Sequence, residues 1–295
     1  MGHNHNHHHH HDIASERIGW AFFLNLGFTI IEFIGGWLTN STAIMADAVH
    51  DLGDSLAIGS AWLLNRLGNR GATQEFTYGY KRLSLLGALI NSIVLVVGSA
   101  WVLVISIPRL FAPVMPVVEG MIFLAVLGVI VNGYAALKLS KGKTLNERVL
   151  NWHLLEDVLG WVAVLIVAIV LMFVNWPILD PILSIAFTVF ILVNVLRNLT
   201  QTVRLFLQAA PDQHTQQKLT SVLLEPAEIS SVHHVHFWSL DGEHHVLSAH
   251  LCLLDELNAD EVMALKAKLA QRLAAFDITH TTLEVEYPHE QCRDQ

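Results

Sequence analysis

Two short stretches of the sequence carry side chains that could hold a metal ion. Residues 44–55 read IMADAVHDLGDS and residues 151–161 read NWHLLEDVLGW. At about 100° per helical residue, His50 and Asp54 share one face of a helix, and His153 and Asp157 repeat the spacing. Two helices that each offer His-x-x-x-Asp can present two imidazole nitrogens and two carboxylates around one point, a donor set that four-coordinate zinc accepts. Two carboxylates also cancel the charge of a divalent ion. Asp47 lies one turn before His50, and Asp51 is rotated by about 100° from it, so both fit supporting roles, as packing hydrogen bonds or as a proton path. Glu156 points away from the His153–Asp157 face, while Glu32, Asn91 and Asn132 fit interhelical hydrogen bonding.

These groups sit in apolar sequence, and a charge at the centre of a bilayer costs about 2.5 to 3.5 kcal/mol on insertion scales. Of the 295 residues 53% are hydrophobic and 15% charged, which describes a multi-pass membrane protein rather than a soluble enzyme. Six stretches are long enough to cross the hydrocarbon, at 17–38, 42–66, 83–107, 117–138, 150–174 and 178–198. Arg66, Arg70, Lys81 and Arg82 follow the second stretch, and Lys138, Lys141, Lys143 and Arg148 follow the fourth. The opposite connections carry only Arg109, so the positive-inside rule places both termini in the cytoplasm. The expected division is a His-rich N-terminal tail at 1–16, six transmembrane helices over 17–208 and a cytoplasmic domain over 209–295.

That last part has 14 acidic and 5 basic residues from Pro211 onward, which argues against nucleic-acid binding. Its pattern predicts helix 212–224, strands 230–240 and 244–255 joined at Asp241-Gly242, helix 259–275 and strand 281–287. This is a small α+β layer with helices on one face of an antiparallel or mixed sheet. On such strands Glu284 and Glu286 share a face, as do His234 and His236, and His250 and Cys252. Both cysteines, Cys252 and Cys292, fall here, where a reducing cytoplasm disfavours a disulfide. The N-terminus is polar, without a cleavable signal, and holds seven of the 18 histidines, as a metal-collecting tail or an affinity tag.

The segments GGWLTNSTAIMADAVHDLGDS (35–55), YGYKR (78–82), LNERVLNWHLLEDVLGW (145–161) and HHVHFWSLDGEHHVLSAHL (233–251) resemble those of the cation diffusion facilitator family, in its bacterial zinc-exporting type. The resemblance runs from about residue 17 to 288. It implies a homodimer of six-span protomers in the inner membrane of a prokaryote, each with a metallochaperone-like, ferredoxin-like cytoplasmic domain, exchanging a divalent metal for protons. By position it makes His50, Asp54, His153 and Asp157 the transport ligands, with Zn2+ the preferred cargo and Cd2+ the second. It matches His233, His250, Glu284 and Glu286 to a metal site in the tail, with zinc a regulatory as well as a transported ion; Cys252, on the strand face of His250, is a weaker candidate ligand. No organic cofactor is implied. The loop NRLGNRGATQEFTYGY has neither His nor Asp and is expected to bind no metal, and the short SKGKTLNER connection fits a prokaryotic origin.

Binding at such a site needs neutral imidazole and ionised carboxylate, so it releases protons and couples to pH. A passive zinc channel, or a membrane-bound receptor with a structural metal, would use the same ligands. A metalloprotease would need HExxH, which is absent, so the chain is not expected to be an enzyme.

Overall fold

The computed structural model describes residues 8–68, 71–139 and 145–292; for 8–18, 20–21, 61–62, 64–68, 139 and 145–153 it describes the backbone alone. The His-rich residues 1–7, Arg70, the loop cations Lys141 and Lys143, and the His153 side chain lie outside the described residues. Residues through Leu63 together with Gly87–Leu199 form one compact unit, and Leu64–Leu86 together with Thr200–Gln295 form a second.

The first unit is built from long helices: α1 (His8–Thr39), α2 (Thr42–Gly68), α3 (Leu83–Phe111), α4 (Val118–Leu139), α5 (Leu145–Phe173) and α6 (Leu179–Phe206). α1 begins at His8, so the helix continues into the segment expected to be a separate tail. Among the described residues α1, α3, α4, α5 and α6 are long and apolar enough to cross a membrane. α2 has the length, at 27 residues, but Asp47, Asp51 and Asp54 interrupt its apolar run. Large apolar side chains such as Trp37, Val104, Leu137 and Phe173 point outward, as a lipid-facing surface requires. The interior packs Phe28, Ile44, Met121, Leu124 and Val164 around a fully buried Trp161, whose ring meets Phe28 edge-on at 5.7 Å. α4 approaches that indole closely enough that a Cβ at Gly128 would overlap it, and α3 likewise meets α2 where a Cβ at Gly53 would overlap Leu95. The helices that carry the two His-x-x-x-Asp pairs are thereby held against their neighbours.

The second unit contains α7 (Gln213–Leu224), β1 (Ile229–Ser239), β2 (His245–Leu253), α8 (Ala259–Leu273), a 3₁₀ turn and β3 (Ile278–Glu286). Asp212 caps α7 by accepting from the backbone N–H groups of His214 and Thr215, and Asn258 with Glu261 forms a capping box on α8. The sheet order is β1-β2-β3, antiparallel then parallel, so the sheet is mixed. Leu219 and Leu223 of α7 and Leu265, Leu269 and Leu273 of α8 pack on Leu247, Ala249, Leu251 and Leu253. Strand alternation then sends Ser248, His250 and Cys252 to the opposite face. At Gly242, φ +103° completes the β1–β2 turn, a conformation that favours glycine.

β1 departs from the alternation expected of it. His233 pairs with His250 and His236 with Ser248, so the pairing slips by one residue between them, and His234 adopts φ 47°. This is a β-bulge, which twists the strand and re-aims its side chains, so His234 and His236 do not simply share a face.

Candidate metal sites

In the membrane unit, α2 and α5 bring His50, Asp54 and Asp157 together. His50 Nε2 lies 3.5 Å from Asp54 Oδ2, within one turn of α2, and 3.9 Å from Asp157 Oδ1 across the helix pair. One donor atom from each of the three lies within 4.8 Å of the others. Asp157 is buried, whereas His50 and Asp54 are partly accessible. His153 stands one turn before Asp157 on α5.

Beside it lies a second group. Glu32 of α1 and Asp47 and Asp51 of α2 place carboxyl oxygens within 4.8 Å of one another, all buried. Among the described residues no donor from any other group reaches the carboxyl oxygens of Glu32 or Asp51, which meet one another closely enough to share a proton. Three negative charges there would need protons or a cation to offset them. Asn25 ties α1 to the same turn of α2, donating to the Asp51 carbonyl at 3.3 Å and to Ser55 Oγ at 3.1 Å.

The far end of α2 is held by a residue of α6. Asp180, 1% exposed, accepts from Thr42 N at 2.7 Å, Thr42 Oγ1 at 2.8 Å, Ala43 N at 3.3 Å and the Ser41 hydroxyl. It therefore does the work of an N-cap from another helix, satisfying first-turn N–H groups with a charged acceptor. Ser184, one turn on, donates to the Thr42 carbonyl at 2.9 Å, and Arg109 donates to Asn40 O at 2.7 Å and to Oδ1 at 2.6 Å. These bonds fix the position from which α2 presents His50 and Asp54.

The second unit gathers a tighter group on the sheet face opposite its helices. Glu286 is the hub, with Oε1 2.8 Å from His250 Nδ1 and Oε2 3.2 Å from His233 Nε2, while the Cys252 thiol donates to Oε2 at 3.2 Å. Cys292 Sγ lies 3.5 Å from His250 Nδ1. Burial pushes the Glu286 carboxyl up, but hydrogen bonds from Cys252, His250 and Cys292 and the neighbouring His233 outweigh it and lower the pKa to about 2. Burial, with Glu286 adding to it, pushes the Cys252 thiol up despite a hydrogen bond with Ser231 that works the other way.

The sequence matches two domain models in succession: the cation efflux transmembrane domain over residues 20–207 and the cation efflux protein cytoplasmic domain over 211–288. The chain belongs to the cation efflux family. Relatives include a cadmium, cobalt and zinc/H(+)-K(+) antiporter of Bacillus velezensis, 31% identical over 97% of this chain and 92% of that one. The zinc transporter ZitB of Yersinia pseudotuberculosis is 33% identical over 94% and 89% of the two chains. ZitB of Escherichia coli is 34% identical over 94% and 88%. This cation efflux protein is therefore a multi-pass membrane protein with a cytoplasmic α+β domain.

Within this cation efflux chain, Glu284 takes a different place from Glu286. Its carboxyl is 3.8 Å from His250 Nε2 and a third exposed, at the rim rather than in the buried group. Cys292 enters that group instead, donating an atom within 4.8 Å of those of His233, His250 and Glu286. Three other tail histidines make contacts elsewhere: His244 pairs with Asp241 at 2.7 Å in the turn, His245 packs on Phe237, and His280 meets the Tyr78 ring edge-on at 5.0 Å, while the His234 ring lies 5.1 Å from that of His250, beside the group. Asp180 escaped the sequence reading, although Asp-Pro at the start of an apolar run and the Ser-Thr opening α2 were its visible signals. The hydrogen bond expected of Asn132 does not form among the described residues, where its amide atoms are buried and unpartnered, whereas Glu32 of α1 meets the Asp51 carboxyl of α2 within the carboxylate group.

Proposed function

We propose that this protein exports divalent metal, chiefly zinc and secondarily cadmium, from the cytoplasm in exchange for protons by alternating access. The observation that carries the proposal is the meeting of His50, Asp54 and Asp157 in an otherwise apolar helix bundle, with His153 on the turn preceding Asp157. The names of the relatives support the choice of cargo and the proton coupling.

In the inward-facing state the two imidazoles and two carboxylates take the ion from the cytoplasm. Each imidazole must be neutral and each carboxylate ionised to bind it, so loading displaces protons. In the outward-facing state external protons compete for the same lone pairs and the ion leaves. Asp47 and Asp51, with Glu32 beside them, support α2 and form the proton path next to the cargo site. Both termini are cytoplasmic, the membrane domain ends near residue 208, and the protein works as a homodimer in a prokaryotic inner membrane. It catalyses no chemical reaction and uses no organic cofactor.

Zinc at the tail site acts as a regulatory ligand. Two imidazoles and a carboxylate already converge there, which fits a zinc donor set. Its effect on transport follows only if the tail binds metal more tightly in one transporter conformation than in the other.

Liposomes carrying a zinc-sensitive dye test the transport claim. Zinc influx into the lumen should follow an imposed pH gradient and vanish for Asp54→Ala. Influx indifferent to the gradient would make the protein a passive channel.

A further inference from the structure

After β3 the chain makes a turn closed by Glu290 N donating to Tyr287 O at 2.9 Å and Tyr287 N donating to Glu290 Oε2 at 3.2 Å. The turn delivers Cys292 to the face that carries His233, His250 and Glu286. There the two ring nitrogens of His250 look toward different partners. Nδ1 is 2.8 Å from Glu286 and 3.5 Å from Cys292 Sγ, while Nε2 is 3.8 Å from Glu284. A cation held through Nδ1 would share Glu286 and Cys292; one held through Nε2 would share Glu284 at the solvent rim. Burial favours the first, because Glu286 is 3% exposed and lies between both imidazoles.

We propose that Cys292 is the fourth ligand of the tail site, which makes it a His-His-Glu-Cys site for soft divalent cations such as cadmium. Cys252 is a positioning group: its thiol donates to Glu286 at 3.2 Å, lies 3.7 Å from His233 Nδ1, and holds that carboxylate between the histidines. The inference rests on the reading that the tail binds metal.

The donor separations suit the assignment. A tetrahedral ion with bonds of about 2.0 to 2.3 Å needs donors roughly 3.3 to 3.8 Å apart. The four donor atoms lie within 4.8 Å of one another, with the Cys292–His250 pair at 3.5 Å, so closing on an ion asks only small side-chain movements. On binding, the Cys292 S–H bond breaks, its proton goes to solvent and a sulfur–metal bond forms. No electron is transferred. The described membrane ligands are nitrogen and oxygen alone, whereas sulfur is a soft donor that favours thiophilic metals. The two sites therefore rank the same cations differently, and the tail responds to cadmium at a lower free concentration than to zinc.

The full-length reduced protein in detergent, titrated with Cd2+ and followed by the ultraviolet thiolate-to-cadmium charge-transfer band, tests this. Ligands of nitrogen and oxygen are silent in that band. The wild type should show it, and Cys292→Ser should abolish it with at least an about tenfold loss of tail cadmium affinity. Cys292→His, which restores a nitrogen donor, should bind zinc at the tail without the band, showing that loss of the band is not loss of fold. Cys252→Ser and Glu284→Gln should keep it. A band that survives Cys292→Ser, or disappears only in Cys252→Ser, would overturn the assignment. If calorimetry finds a tail cation that depends on His233 and His250 but the wild type shows no band, the thiol ligand is wrong and the tail site stands. If changing both histidines to Ala leaves cation binding unaltered, the tail-site reading itself fails.

Discussion

The two candidate metal-ligand groups of this molecule are made from similar residues and built in opposite ways. In the membrane, donors from α2 and α5 stand 3.9 Å apart across the helix pair, and no backbone ladder joins the elements that carry them. In the tail, His233, His250 and Glu286 sit on neighbouring strands of one sheet and already contact one another at 2.8 and 3.2 Å. A site split between helices can be opened by sliding one helix against the other; a site on hydrogen-bonded strands cannot be opened without breaking the sheet. The first architecture suits release of a cargo, and the second suits retention of a regulatory ion.

The sharpest way to break that division is to remove a membrane ligand. Asp157→Ala should reduce zinc flux by at least roughly 100-fold in liposomes, because losing a direct ligand costs no less than losing a supporting one. It should leave cadmium binding at the tail intact by charge-transfer absorbance. Asp180→Ala tests whether α2 must be held from α6. It strips an acceptor from buried donors at the start of α2, at about 1 to 3 kcal/mol for each group left unsatisfied. Both the melting temperature in detergent and zinc flux should fall, while Asp180→Asn, which keeps an acceptor oxygen, should recover part of each.

Acid should separate the units further. Because the Glu286 carboxyl is held at about 2, below its ordinary value of 4.5, its contribution to tail stability is fully present above pH 4.5. That contribution is lost as pH falls from about 4.5 through about 2. Chemical denaturation monitored through the tail's own Trp238 should show this loss, and Glu286→Gln should flatten the pH dependence in that window. The smallest effect belongs to Asn258→Ala, which removes the α8 capping box at a cost of about 1 kcal/mol. Tail unfolding should register it and saturating zinc flux should not.

Much of this arrangement was legible in sequence because it is periodic. The four-residue spacing of His50 and Asp54 specifies a shared helix face whatever the rest of the chain does, and alternation along 245–253 separates Leu247, Ala249 and Leu251 from His250 and Cys252. What was missed is not periodic. Asp180 caps a helix 138 residues away in the chain, a partnership that only packing creates. Cys292 reaches its site through a turn whose direction depends on Glu290 folding back on Tyr287, and the bulge at His234 depends on pairing between β1 and β2. Glu32 is a lone acid in an apolar run, and only the approach of α1 to α2 turns it into part of a carboxylate group.

The most direct test of the division of labour is the initial rate of zinc flux in liposomes as a function of zinc concentration, at a fixed pH gradient. It would compare the wild type, Asp157→Asn and the double variant His233→Ala/His250→Ala. The account predicts no flux from Asp157→Asn at any concentration. It predicts a double variant that matches the wild type when zinc is saturating but needs more zinc to reach half its maximal rate. Flux through Asp157→Asn would contradict the placement of the cargo site, and a double variant identical to the wild type at every concentration would contradict the regulatory role of the tail.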